Sequence, residues 1–132
     1  MGFENEEKAT NEIVEQLDEK EWKLFQKINE IIIEEKLFQY PDLSLDYVAQ
    51  KVGLNRYIIS KLINKATGKN FNTFVNEYRI KEAIRRLSDR QNNNYTIDAI
   101  AFDCGFSNRI SFYRSFKKKV GISPSEFKEH AT

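Results

Sequence analysis

A chain of 132 residues with 40% hydrophobic and 31% charged side chains can bury one core or two very small ones, and is too apolar to stay disordered. One cysteine, Cys104, and one histidine, His130, exclude an internal disulfide and a Cys/His metal centre by number alone. The formal net charge of +1 hides a division: residues 1–42 carry 5 Lys/Arg against 12 Asp/Glu, and residues 43–132 carry 16 against 8, which points to a polyanionic partner for the basic part only.

Five glycines and two prolines are few, and favour helices over a turn-rich β architecture. No apolar run approaches the roughly 18 residues needed to cross a bilayer. The opening "MGFENEEKAT" lacks the basic-then-apolar order of a signal peptide. The expectation is a cytoplasmic chain without membrane contact.

Residues 1–9 read as frayed. From Asn11 to Phe38 the residues Ile13, Val14, Leu17, Leu24, Phe25, Ile28, Ile31 and Ile32 follow helical spacing. Asp18 with Glu21 forms a capping pair, so the stretch is either one long helix or two. Its end is set by Pro41, which disfavours helical geometry at Tyr40.

Ser44 then caps a short helix with Asp46 in its first turn and an apolar stripe of Leu45, Val48, Ala49 and Val52. Gly53 supplies the left-handed turn. Asn55 caps a second helix, in which Ile58, Ile59, Leu62, Ile63 and Ala66 form the buried stripe before Gly68. Helix, glycine turn, helix is the pattern of a helix-turn-helix. Phe71 to Leu87 reads as one long helix, with Phe71, Phe74, Val75, Tyr78, Ala83, Ile84 and Leu87 inward. The polar loop "SDRQNNNY" follows.

The pattern then repeats. Ser44, Asp46, Ala49 and Gly53 reappear 52 positions later as Thr96, Asp98, Ala101 and Gly105, and Lys61, Lys65 and Gly68 reappear at 53 as Arg114, Lys118 and Gly121. One residue is therefore added just after the second turn, where Ser107 reads as the next N-cap. Phe112, Phe116 and Val120 form the inward stripe of the last long helix. "SPSEF" restarts a short helix, with Ser123 as N-cap, Pro124 at its first position and Glu126 closing a capping box.

A helix-turn-helix offers its second helix to the major groove of DNA. One chain with two units reads two half-sites if a stiff spacer holds them about one DNA turn, roughly 34 Å, apart. The 71–87 helix, about 25 Å long at 1.5 Å per residue, suits that spacing. The outward residues are Arg56, Tyr57, Ser60, Lys61 and Asn64 in the first unit, and Asn108, Arg109, Ile110, Tyr113, Arg114 and Lys117 in the second. Arg and Lys pair with guanine, Asn with adenine, and hydroxyls with phosphate or base edges. Lys117, Lys118 and Lys119 extend the second face. Ile110 either touches a thymine methyl or packs on Phe106. Arg79, Arg85 and Arg86 reach phosphates or, the better reading, pair with Glu77, Glu82 or Asp89.

Cys104, between Asp103 and Gly105, reads as a small buried hydrophobe rather than a nucleophile. There is no glycine-rich phosphate loop, metal cluster or nucleophile–base pair. No enzyme activity, metal or cofactor is expected.

The stretches "LSLDYVAQKVGLNRYIISKLINKATGKNFNTFVNEYRIKEAIRRL" and "TIDAIAFDCGFSNRISFYRSFKKKVGISPSEF" resemble the DNA-binding domain of AraC/XylS-type transcriptional regulators. The second carries the pattern I-A-x-x-x-G-F-S, F-x-R-x-F-K-x-x-x-G, S-P-x-E-F. The resemblance implies an all-α domain of seven helices: two helix-turn-helix subdomains joined by a linker helix. By position it implies base contacts from Tyr57, Ser60 and Lys61 and from Asn108, Arg109, Ile110 and Arg114, with Tyr113 nearby, and phosphate contacts from Arg56, Asn64, Lys117 and Lys118. The sequence departs from the family pattern at Ile58 and Ser111.

The expected organisation is an acidic helical leader over 1–42 and the DNA-binding domain over 43–132. The latter divides into a first helix-turn-helix at 43–70, a linker helix and loop at 71–90, and a second helix-turn-helix with a terminal helix at 91–132. The leader is similar to the helix that precedes this domain in large membrane-associated or two-component-type regulators. Its stripe packs on the first subdomain or pairs with a second copy, giving a monomer or a weak dimer. The expected function is a sequence-specific double-stranded-DNA-binding regulator, an activator with RNA polymerase as partner and no small-molecule ligand within this chain. It is read as the C-terminal output part of a larger regulator, the alternative being a complete one-domain regulator. The rival is a helical protein-interaction module without DNA binding.

Overall fold

Asp18 starts the first described helix by closing a capping box. Its carboxylate accepts the Glu21 N–H at 2.8 Å, and the Glu21 carboxylate accepts the Asp18 N–H at 3.3 Å. The Glu21 N–H is also the main reason that the Asp18 pKa lies below its ordinary value. The computed structural model describes residues 17–131; the expected fraying of residues 1–9 and the helix expected from Asn11, with Ile13 and Val14, lie outside them. Among the described residues there are seven α-helices and no strand. They are α1 Glu19–Asn29, α2 Leu45–Val52, α3 Arg56–Thr67, α4 Phe71–Ser88, α5 Ile97–Asp103, α6 Arg109–Val120 and α7 Pro124–Ala131. The seventh is the leader's α1; residues 43–131 hold the other six.

The leader does not run as a helix to Phe38. After α1 the chain widens into a π turn, Glu30–Glu34, and then Lys36 takes a left-handed φ of 59°. A 3-10 turn, Leu37–Gln39, follows. The break therefore precedes Pro41. Its physical reason lies in the side chains: the change of hand at Lys36 redirects the backbone so that Leu37 and Phe38 are both buried.

The described chain forms two compact units, neither of them continuous in sequence. The first takes residues 17–36 and 43–74, and the second takes 37–42 and 75–131. In the first, Ser44 caps α2 by accepting the Tyr47 N–H at 3.1 Å, and Gly53 ends it at φ 73°. Asn55 caps α3, accepting the Tyr57 N–H at 2.7 Å. Phe25, Ile28, Ile31 and Ile32 of the leader are buried in this unit with Val48, Ala49, Ile59, Leu62 and Ile63. The Phe25 ring lies 6.0 Å from that of Phe74. Lys65 of α3 adds a bond to each Glu21 oxygen, at 3.0 and 3.1 Å. The apolar stripe of α1 is thus used within the chain.

The second unit is built around Phe106, Phe112 and Phe116, with ring centroids 5.1 and 5.7 Å apart in succession. Ile80, Ala83, Leu87, Ile100, Ala101 and Cys104 complete the cluster. Thr96 caps α5 by accepting the Ala99 N–H at 3.0 Å. The N-cap of α6 is Asn108 and not Ser107: the Asn108 carboxamide oxygen accepts the Ile110 and Ser111 N–H groups at 2.7 and 3.2 Å. Asn55 and Asn108 are 53 residues apart, so the residue added in the second copy precedes its cap.

Arg79 of α4 fastens residues 37–42 to this unit. Its Nε donates to the Phe38 carbonyl at 2.6 Å, one terminal nitrogen donates to the Tyr40 carbonyl at 2.9 Å, and the other to Asn76 Oδ1 at 2.9 Å. Its guanidinium lies 5.9 Å from the centre of the Phe106 ring. Burial lowers its pKa, but three acceptors satisfy the charge. Arg85 and Arg86 instead pair with Glu82, at 2.6 and 3.0 Å, as the better of their two expected readings had it.

Gly105 sits against this clamp at φ 109°. A methyl there would overlap the Phe38 carbonyl oxygen and lie 2.7 Å from Arg79 Nε, whereas Gly53 faces open space. Gly53→Ala is therefore expected to carry only the left-handed penalty of about 1–2 kcal/mol. Gly105→Ala adds overpacking of about 1–3 kcal/mol, so its urea midpoint should fall clearly below that of Gly53→Ala. Glu82 offers a pH test. The Arg85 bond is the main cause that lowers its pKa below 4.5, with Arg86 adding to it. A depressed carboxylate pKa stabilises the fold above the unfolded value and loses that effect as pH falls through the folded one. Glu82→Gln should be less stable than the parent at pH 7, and the two should converge in thermal melts as pH falls from the unfolded carboxylate value through the lower folded one.

Candidate nucleic-acid interface

Burial of one stripe decides what each second helix shows. In α3, Ile59, Leu62, Ile63 and Ala66 are buried, leaving Arg56, Tyr57, Lys61 and Asn64 exposed and Ser60 half-buried. Ile58 does not join the stripe as expected: it is 48% exposed. It stands in the first turn of α3, at the edge of the stripe, and lies beside Tyr57 on the outward side. In α6, Phe112 and Phe116 are buried and Val120 is half-buried. Arg109, Ile110, Arg114, Lys117 and Lys118 are exposed, with Tyr113 half-buried.

Ile110 is 67% exposed, so packing on Phe106 does not explain its position. Arg109, Ile110, Tyr113, Arg114 and Lys117 line one open cleft of about 490 Å³ together with Ser123. Asn108 contributes its oxygen to the cap, which leaves its amide nitrogen as a donor.

With the caps aligned, the two faces correspond one to one. Arg56, Tyr57, Ser60, Lys61, Asn64 and Lys65 match Arg109, Ile110, Tyr113, Arg114, Lys117 and Lys118. The members of the last pair differ in use: Lys65 binds Glu21, while Lys118 is exposed. Among the described residues, none of Lys61, Arg114, Lys117 and Lys118 has a carboxylate partner.

Two carboxylates missed by the sequence reading approach the faces from the preceding helices. Asp46 of α2 lies 3.4 Å from Arg56, and Asp98 of α5 lies 3.6 Å from Arg109. Arg109 also rests 5.0 Å from the centre of the Tyr113 ring and donates to its hydroxyl at 3.4 Å. The signal was available in the repeat, because Asp46 and Asp98 correspond.

Among the described residues no group of acidic, His and Cys side chains is arranged to hold a metal ion, and no helix is long and apolar enough to cross a membrane. Cys104 is fully buried.

Two helix-turn-helix units with duplicated basic faces define an all-α, double helix-turn-helix architecture. A family model described as a helix-turn-helix domain matches residues 48–130. The chain belongs to the AraC-type helix-turn-helix family of transcriptional regulators. It is 30% identical over 107 residues to an uncharacterised helix-turn-helix-type transcriptional regulator of Pseudoalteromonas carrageenovora, covering 77% of this chain and 61% of that one. It is 28% identical over 107 residues to the probable transcription factor PqrA of Proteus vulgaris, covering 80% of this chain and 85% of that one. A solved AraC-type transcriptional regulator from Chromobacterium violaceum shares the fold with a TM-score of 0.67 at 22% identity, covering 81% of this chain and 94% of that one. The chain thus spans under two thirds of the first relative's length.

Burial pushes the Cys104 thiol up to about 12, so almost no thiolate exists at neutral pH. The folded protein should resist a thiol-alkylating reagent at pH 7.5 and react at once in denaturant. Rapid labelling of the folded protein would contradict this environment.

Proposed function

We propose that the chain binds double-stranded DNA in a sequence-specific manner as the output part of a transcriptional regulator, with α3 and α6 each entering a major groove. The observation that carries this is the pair of equivalent helix faces, each outward from a buried apolar stripe and each with Lys or Arg that has no carboxylate partner among the described residues. Bases are read by Tyr57, Ser60 and Lys61 and by Asn108, Arg109, Ile110, Tyr113 and Arg114. Exposed Ile58 joins the first set as an apolar contact for a thymine methyl. Phosphates are held by Arg56, Asn64, Lys117 and Lys118.

Use of the α1 stripe inside the first unit supports a monomer rather than a coiled-coil dimer. The family resemblance supports an activator with RNA polymerase as protein partner, acting in the cytoplasm as part of a longer regulator. It also supports a DNA-binding domain over 43–132, which the leader precedes in sequence and completes by packing. No chemistry is assigned to the chain, and no cofactor is needed for the reading.

Selection of bound duplexes from a random pool tests it. Two preferred blocks about one helical turn apart are expected, with affinity falling steeply as salt rises, by a log–log slope of about 0.9 per phosphate neutralised. Arg109→Ala should lose about 1–3 kcal/mol on the selected site and relax one base position, while Lys118→Ala should weaken all duplexes alike. Weak, salt-insensitive binding without preferred blocks would instead favour a protein-interaction module.

A further inference from the structure

Each recognition helix opens with an arginine, and each of these arginines lies within ion-pair distance of a carboxylate from the helix before it. Arg56 is the first residue of α3 and Asp46 the second of α2; Arg109 is the first residue of α6 and Asp98 the second of α5. The separations are 3.4 and 3.6 Å, and all four side chains are more than half exposed. Exposed pairs of this kind add little to folding. Their placement beside a surface that must meet a polyanion has a larger effect.

We propose that Asp98 is a specificity-determining positioning residue, which keeps Arg109, the leading arginine of α6, from binding by phosphate alone; Asp46 stands at the equivalent place beside Arg56, a phosphate contact, and serves as the comparison. This rests on the DNA-binding reading above. A phosphate offers a guanidinium the same kind of acceptor that the aspartate already supplies. Exchanging one for the other gains little and leaves a bare carboxylate near the polyanion. A guanine edge is neutral and accepts from one side of the fork, so the arginine keeps its aspartate on another. The carboxylate therefore penalises non-specific contact more than matched contact, which widens the difference between them. Arg109 is the more constrained of the two, because the Tyr113 ring and hydroxyl hold it on a further side.

The test compares the parent with Asp98→Asn, Asp98→Glu and Asp46→Asn on a selected duplex and on a random one, across a range of salt. Thermal melts establish that each variant is folded. Asp98→Asn should bind random DNA about 3–10-fold more tightly, while its affinity for the selected site changes less than about 2-fold. Its log–log salt slope on random DNA should steepen by about 0.9, the signature of one more phosphate engaged. Asp46→Asn, which frees the phosphate-contacting Arg56, should tighten selected and random duplexes alike, and Asp98→Glu, which keeps the charge, should stay close to the parent. A merely structural aspartate would instead lower stability and weaken both duplexes together, with the slope unchanged; that outcome overturns the proposal. An unaltered ratio of selected to random affinity in Asp98→Asn, where the parent does prefer its site, overturns it too, and leaves the DNA reading standing. A parent that binds no duplex overturns both.

Discussion

With Ile59 and Ile63 at 0% exposure and Leu62 at 4%, α3 cannot turn about its axis without bringing apolar side chains into water. Phe112 and Phe116, both at 0%, impose the same condition on α6. Burying each such side chain is worth about 1.5–3 kcal/mol, against about 0–1 kcal/mol for an exposed ion pair. The core therefore sets the rotation of each helix, and the charges on the far side are carried along. Everything that can be said about the outward faces follows from that difference in scale.

The cations then divide by what surrounds them rather than by type. Lys65 and Lys118 hold equivalent positions, yet one secures the leader to α3 through Glu21 and the other stands in solvent. Arg79, Arg85 and Arg86 share one helix, but Arg79 grips backbone carbonyls while its neighbours pair with Glu82. Only position in the folded chain separates an anchoring cation from one left for a ligand.

Much of this was legible from periodicity and caps. Ser44, Asn55 and Thr96 announce helix starts because their side chains answer free backbone N–H groups in the first turn, and the glycines at 53, 68 and 121 end helices in left-handed geometry. Ser107 misled because serine and asparagine cap equally well in isolation; the 53-residue register to Asn55 decides for Asn108. Ile58 looked buried because helical spacing alone cannot show where a stripe ends. The π turn and the left-handed Lys36 were out of reach, since neither has a local signature: they answer the burial of Leu37 and Phe38. The candidate faces were visible as residue types, and Asp46 and Asp98 as a repeated pair, but the contact of each with an arginine was not, because a contact between helices needs the turn between them to be folded.

The exchange of residues 37–42 into the second unit has a consequence for modularity. Arg79 needs the Phe38 and Tyr40 carbonyls, and Gly105 leaves room for them. The C-terminal reader is therefore not a cassette that can be cut out at a convenient loop and grafted onto a relative. A graft that began after residue 42 would leave a half-buried guanidinium with two of its acceptors gone and an empty notch beside Gly105. Recombination within the family has to carry this upstream hexapeptide with the reader that it completes.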